Sequence, residues 1–211
     1  MEAIITTKDL KFMDFITYPD IEIQKGKATF ICGESGLGKS TLLKLFNGVV
    51  SPSAGTISYL GNPITEYDTV ELRREVLLSN QSVFLFDESI SKNFDEYYDY
   101  RELTHLTDEE KEKFLEICCL DMPLDTECQT MSGGEKQRVF TAICLSLQPK
   151  VLMLDEPTAA LDEGNAENLL RNVKSFCMEQ DITLIVVCHN LVLAEKFADK
   201  IIFPAKSEAP L

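Results

Sequence analysis

Nine consecutive residues, Gly33-Glu34-Ser35-Gly36-Leu37-Gly38-Lys39-Ser40-Thr41, narrow the choice of fold more than any other stretch of this chain. They fit the spacing G-x-x-x-x-G-K-[ST] without a mismatch, and their flanks fit it as well. The apolar run Ala28-Thr29-Phe30-Ile31-Cys32 reads as a buried strand, and Leu42, Leu43, Leu45 and Phe46 recur at helical spacing. Glycines permit a tight turn that aims successive backbone N–H groups inward, and the following helix presents its positive end to the same point. Such a strand, loop and helix cradle phosphate oxygens. Lys39 is then placed for the outer phosphates, and the Ser40 hydroxyl for Mg²⁺, a hard cation that prefers oxygen.

A parallel sheet is what this unit builds, and the rest of the chain supplies further strands for it. Val76-Leu77-Leu78-Ser79, Val151-Leu152-Met153-Leu154, Ile182 to Val187 and Lys200 to Phe203 are short apolar runs separated by helical patterns over Gly134 to Leu147, Glu163 to Gln180 and Leu191 to Phe197. Continuous apolar strands alternating with helices imply a mainly parallel sheet covered on both faces. Ile21-Glu22-Ile23 and Thr56-Ile57-Ser58-Tyr59 alternate as half-exposed strands do, which adds an antiparallel β portion. Gly61-Asn62-Pro63 reads as a turn, and Thr6 to Ile23 resists division. Asp68, Thr107 and Asp162 are expected helix caps, Thr107 with Glu110 as a capping box.

From about 87 to 130 the strand signal stops and the composition turns acidic and helical, as in an inserted helical subdomain; the whole of 1–211 is expected to be one domain. Between Asp87 and Glu127 fourteen acidic residues face four Lys or Arg, so ten of the fifteen excess negative charges lie there. That is either a solvated face or a docking face for a basic partner. A net charge of −15 argues against non-specific nucleic-acid binding. The start has neither the basic nor the long apolar segment of a signal peptide, no stretch is long enough for a membrane helix, and the polar end suggests no appended regulatory domain. The expectation is a cytoplasmic protein with no direct membrane insertion. The seven cysteines show no repeated CxxC spacing and read as reduced thiols.

Asp155 and Glu156 follow a buried strand directly, and their adjacency points them in different directions. Asp155 suits Mg²⁺ held through water, and Glu156 the polarisation of a water attacking a terminal phosphate. Gln81 follows another strand, at the sheet edge where ligands bind in α/β folds. Met131-Ser132-Gly133-Gly134-Glu135-Lys136-Gln137-Arg138 has the form of a capping box, Ser132 to Glu135, opening a helix whose first glycines leave its N-terminus open to an anion.

Taken together, these motifs and their order resemble the nucleotide-binding subunit of ATP-binding cassette (ABC) transporters, over about Leu10 to Phe203. The Met131–Arg138 stretch resembles the family signature, usually begun by Leu and often carrying Gln where Glu135 stands. The resemblance implies a glutamine loop at Gln81 that contacts Mg²⁺ or water, a D-loop at Ala160-Leu161-Asp162 and a switch histidine at His189, whose imidazole reaches the γ phosphate. It implies a Mg-dependent ATPase with ATP and Mg²⁺ as cofactors and catalytic groups Glu156, His189, Gln81 and Lys39. Nucleotide would contact Gly33 to Thr41, Ser132, Gly133, Gly134, Glu135 and Asp162, and metal would contact Ser40, Gln81 and Asp155.

An aromatic residue before the core strand stacks on adenine in this family; the segment is compressed here, with Phe15 the choice and Phe12 or Tyr18 the alternatives. Two subunits, identical or different, would face head to tail with ATP between Lys39 of one and Ser132 of the other. Separate transmembrane permease subunits would hold the pair at the inner face of the cell membrane, a basic cytoplasmic helix meeting the acidic subdomain near Gln81. A soluble ABC ATPase of translation, DNA maintenance or cofactor assembly is the alternative; the paired cassettes, long coiled coil or basic surface usual there are missing.

Overall fold

The computed structural model describes residues 2–13 and 16–204. In chain order the elements are β1 (Ala3–Phe12), β2 (Ile16–Thr17), β3 (Glu22–Gln24), β4 (Ala28–Cys32), α1 (Lys39–Phe46), β5 (Ala54–Tyr59), β6 (Asn62–Pro63), α2 (Thr69–Glu75) and β7 (Val76–Ser79). There follow α3 (Ile90–Asp99), α4 (Asp108–Ile117), α5 (Gly133–Ser146), β8 (Val151–Asp155), α6 (Glu163–Glu179), β9 (Thr183–Cys188), α7 (Leu191–Phe197) and β10 (Lys200–Ile202).

Five strands form a wholly parallel sheet in the order β10-β4-β9-β8-β7. Its central strands β4, β9 and β8 are buried along their whole length because both faces are covered. Along β8, Val151 and Met153 join a core with Leu42, Leu43 and Phe46 of α1 and Ile5 and Ile57 of the second sheet. Leu152 and Leu154 point the other way, into a core with Val139 and Ile143 of α5 and Leu169, Leu170 and Val173 of α6. Side chains alternate faces along a strand, so two cores demand an unbroken apolar run. Each such side chain contributes roughly 1.5–3 kcal/mol on burial.

The second sheet is antiparallel, in the order β2-β1-β5-β6 with β3 also paired to β1. Its ten-residue β1 is not divisible by sequence because the strand is irregular. The register against β5 shifts between Lys8 and Lys11, and Asp9 takes a left-handed φ of 51°. Gly55 faces this bulge; a Cβ there would lie 2.3 Å from the Asp9 carbonyl oxygen. Asn62 and Pro63, expected as a turn, instead pair with Tyr59 and Ser58 and close a short hairpin.

Between β7 and α5 the described residues hold α3 and α4 and a single isolated bridge, Ser89 to Glu127. Ile90, Phe94, Leu115 and Cys118 pack into the α5 side of the core. The caps fall where sequence places them: Asp68 accepts from the N–H groups of Val70 and Glu71, Asp162 from that of Asn165, and Thr107 and Glu110 form a reciprocal box. No helix among the described residues is long and apolar enough to cross a membrane.

Candidate active site

Strand order brings together residues that are far apart in the chain. At the C-terminal ends of adjacent β4, β9, β8 and β7 come, in that order, the loop from Gly33, then His189, then Asp155 and Glu156, then Gln81. This is the edge at which parallel sheets bind ligands.

The glycine-rich loop takes the backbone its sequence calls for. Gly36 and Gly38 have φ of 83° and 76°, and Gly38 is the N-cap of α1, with no side-chain cap and no acidic residue in the first turn. The loop is backed by Tyr18, whose hydroxyl donates to Gly38 O at 2.9 Å. A Cβ on Gly38 would stand 2.6 Å from that hydroxyl oxygen, so the left-handed turn and the close approach both require glycine. Tyr18 is buried beneath the loop, which excludes it as a platform for a base. Phe12 is half-buried against the second core, and Phe15 lies outside the described residues.

Lys39 is buried and donates to the carbonyls of Gly33 at 2.9 Å and Glu34 at 2.6 Å. Burial lowers its pKa, and the charges of Glu156 and Asp155 push the other way. Ser40 Oγ donates to Asp155 Oδ1 at 3.0 Å. Asp155 is only 4% exposed, and burial raises its pKa against the opposing Ser40 hydrogen bond. A buried carboxylate beside a hydroxyl, both hard oxygen donors, fits Mg²⁺.

Glu156 is the hub of the edge. Its carboxylate accepts from Gln81 Nε2 at 2.6 Å through one oxygen and from His189 Nε2 at 2.5 Å through the other. Its backbone is left-handed, φ 52°, a conformation disfavoured for such a side chain and held by a hydrogen bond from its N–H to Val187 O at 3.1 Å. The turn after the strand aims Glu156 away from Asp155, which is how neighbouring carboxylates serve different partners. A cavity of about 380 Å³ opens behind it, between His189, Asn190 and Leu193 on one side and Thr158, Leu161 and Glu163 on the other.

Ser132 opens α5 as a capping box. Its hydroxyl oxygen accepts from Glu135 N, while Glu135 Oε2 accepts from Ser132 N at 2.8 Å and Ser132 Oγ at 2.7 Å. Those two donors hold the Glu135 carboxyl below its ordinary pKa. Gly134 lies against the D-loop, where a Cβ would come 2.9 Å from Ala160 Cβ. Asp162 is occupied in capping α6. Among the described residues no hydrogen bond or ion pair joins Ser132, Glu135 or Asp162 to Lys39, Ser40 or Asp155.

Two features lie outside the sequence reading. Gln137, 8% exposed on α5, donates its side-chain amide to Asp155 O at 3.1 Å; its motif position marks it, but the contact needs the fold. Next to β7, a cleft of about 380 Å³ is lined by Tyr97, Tyr100 and Phe140 and by Arg73, Arg74 and Arg101. Arg73 and Arg74 of α2 and Arg101, two residues past α3, give this cleft a basic rim.

A phosphate loop on a parallel sheet, with a buried carboxylate, a strand-end glutamate and a histidine along one edge, defines a P-loop nucleotide-binding protein. The profile of the ABC transporter family matches residues 17–159, and the chain belongs to that family. It is 35% identical over 180 residues to ABC transporter I family member 17 of Arabidopsis thaliana, covering 85% of this chain and 68% of that one. It is 34% identical over 200 residues to the energy-coupling factor transporter ATP-binding protein EcfA2 of Clostridium perfringens, covering 90% and 69%. Among solved structures, cbiO1 of Clostridium perfringens, described as part of the ABC transporter complex cbiONQ, superposes with a TM-score of 0.80 at 25% identity, covering 97% of this chain and 85% of that one.

Proposed function

We propose that this chain binds and hydrolyses ATP as the cassette subunit of a transporter, with Glu156 as general base, and that the complete site forms between two cassettes. The observation that carries this reading is the Glu156 carboxylate, held between Gln81 and His189 at the sheet edge beside the phosphate loop. One oxygen is oriented by an amide and the other by an imidazole, leaving lone pairs for a water proton. The N–H groups of Gly36 to Ser40 receive the phosphates, and Lys39 exchanges its two loop carbonyls for phosphate oxygens. Ser40 and Asp155 are the residues that would hold Mg²⁺, which offsets phosphate charge when bound, with Gln81 beside them. His189 donates to the γ phosphate when it leaves Glu156.

Among the described residues no hydrogen bond or ion pair joins Ser132 or Glu135 to this edge, and their place at the start of α5 suits a nucleotide held by a second cassette. ATP bound across two cassettes stabilises the closed pair, and loss of the γ phosphate releases it. The relatives' transporter assignments support partners in the membrane, and with them a position at its cytoplasmic face. The aromatic, arginine-flanked cleft beside β7 is where we place the membrane subunit's cytoplasmic helix.

Replacing Glu156 with Gln keeps the shape and removes the base. Hydrolysis should fall by about 10²–10⁴, the range for removing an acid–base group, while ATP with Mg²⁺ still drives dimerisation in light scattering. Full hydrolysis in this variant overturns the role of Glu156. A variant that binds ATP but stays monomeric shows that pairing requires a different cassette or the membrane subunits.

A further inference from the structure

The peptide joining Asp155 to Glu156 is pinned at both of its polar ends, by different elements. Its N–H, on Glu156, donates to Val187 O of β9, and its C=O, on Asp155, accepts from the buried side-chain amide of Gln137 on α5. The next backbone angle is the disfavoured φ of 52° at Glu156, which persists only where the surroundings over-determine it. Gln137 is itself held. Thr141 Oγ1, one turn later, donates to Gln137 O at 2.9 Å and lies 3.1 Å from Ser79 Oγ. The single hydroxyl proton of Thr141 goes to Gln137 O, so Ser79 is the donor to Thr141. Ser79 is the last residue of β7, two before Gln81, and pairs across the sheet with Leu154. All four residues are buried: Ser79 1%, Thr141 2%, Gln137 8% and Asp155 4% exposed.

We propose that Gln137 is a positioning residue for Glu156, and that Ser79 and Thr141 lock it to the strand that delivers Gln81. The inference rests on the reading of Glu156 as general base. The chain Ser79–Thr141–Gln137–Asp155 ties together the end of β7, the helix opened by Ser132 and the peptide that sets the direction of the Glu156 carboxylate. A polar path through an otherwise apolar α5 interface is maintained only when every member is paired, and here each hydroxyl and the amide donor has a partner. A movement of α5 therefore acts on Glu156 through a backbone carbonyl, without touching substrate.

The test uses Gln137→Met, which keeps the length and removes the donor. The expected result is a kcat about 10- to 100-fold lower with KM for ATP within about 2-fold of the unaltered chain, since misplacing a reacting group by an ångström costs up to two orders of magnitude. In the Glu156→Gln background the same change should bring no further loss in single-turnover hydrolysis, because there is no base left to misplace. A merely structural role would reduce both backgrounds alike. Ser79→Ala combined with Thr141→Val, a pair that removes both hydroxyls and conserves most of the volume, should lower kcat about 2- to 5-fold at unchanged KM, and serves if Gln137→Met does not fold. Unchanged kcat in Gln137→Met, or equal losses with and without Glu156, overturns the proposal. Retained hydrolysis in Glu156→Gln alone overturns the reading beneath it instead.

Discussion

The N-termini of α1 and α5 are prepared in opposite ways to meet an anion. At α1 the cap is Gly38, with no side-chain acceptor and no acidic residue in the first turn, so the donors of the loop are left to something outside the chain. At α5 the chain supplies its own anion: the Glu135 carboxylate takes both the N–H and the hydroxyl of Ser132. Two lysines are buried among the described residues: Lys111 on α4 is paired with the Asp95 carboxylate, whereas Lys39, at the α1 end, is satisfied by carbonyls that carry no charge. The first end is a receptor kept open at an energetic cost; the second is stable by itself and must exchange one anion for another. On the function proposed above, a site assembled from these two ends would bind nucleotide first at α1 and be completed by α5 of a second cassette.

Lys39→Met is the largest test of this contrast. Removing one member of a buried charge pair in a binding site costs about 2–5 kcal/mol, so nucleotide affinity should fall by roughly 30-fold or more in calorimetry. The stability of the nucleotide-free chain should not fall with it. Burial disfavours the lysine charge here, and an apolar side chain of similar length removes that penalty. A melting temperature that drops along with affinity would show that Lys39 holds the loop together, and that the α1 end is not kept open at any cost.

Ser132→Ala should break the other half selectively. Loss of the cap costs about 1 kcal/mol of folding stability. Nucleotide binding to the single chain should be unchanged, while ATP-driven dimerisation and hydrolysis fall about tenfold, the value of a hydrogen bond to a charged group. Equal losses in monomer binding and dimerisation would mean that Ser132 works within its own chain.

The same contrast explains what could be read from sequence. Residues 33–41 are legible because backbone geometry imposes glycine, lysine and hydroxyl at fixed spacing, and β8 and β9 because two cores impose continuous apolar runs. The caps at Asp68, Thr107, Ser132 and Asp162 are legible because they are local. What depends on partners distant in sequence is not. Thr7, Lys8 and Asp9 follow no alternation, since β1 bulges opposite Gly55, almost fifty residues away. Tyr18 offers no sign that it supports Gly38, and the amide of Gln137 finds Asp155 only after α5 has docked on the sheet. The order β4-β9-β8-β7, which gathers the candidate site, is a property of crossovers that no single motif contains.

Glu135→Gln is the finest probe, because it alters the competing anion and leaves the box in place. Glutamine also accepts from the capping residue, so stability should change little. With the negative charge gone, phosphate reaches the Ser132 donors against less repulsion, and the ATP concentration for half-maximal dimerisation should fall about 2- to 5-fold, in line with single exposed charges near a helix N-terminus. Screening gives a second check, since the gap between the two proteins should narrow at high salt. The pH dependence follows from the depressed pKa. The carboxyl is held below its ordinary range by Ser132, so its capping contribution is fully present above the unfolded value near about 4.3 and is lost as pH falls through the folded one. Across pH 6–8 the charge is constant, and the difference between variant and unaltered chain should be flat. A variant that dimerises less readily would reverse the argument: the carboxylate would then be assisting closure, and α5 would not be competing with its own ligand.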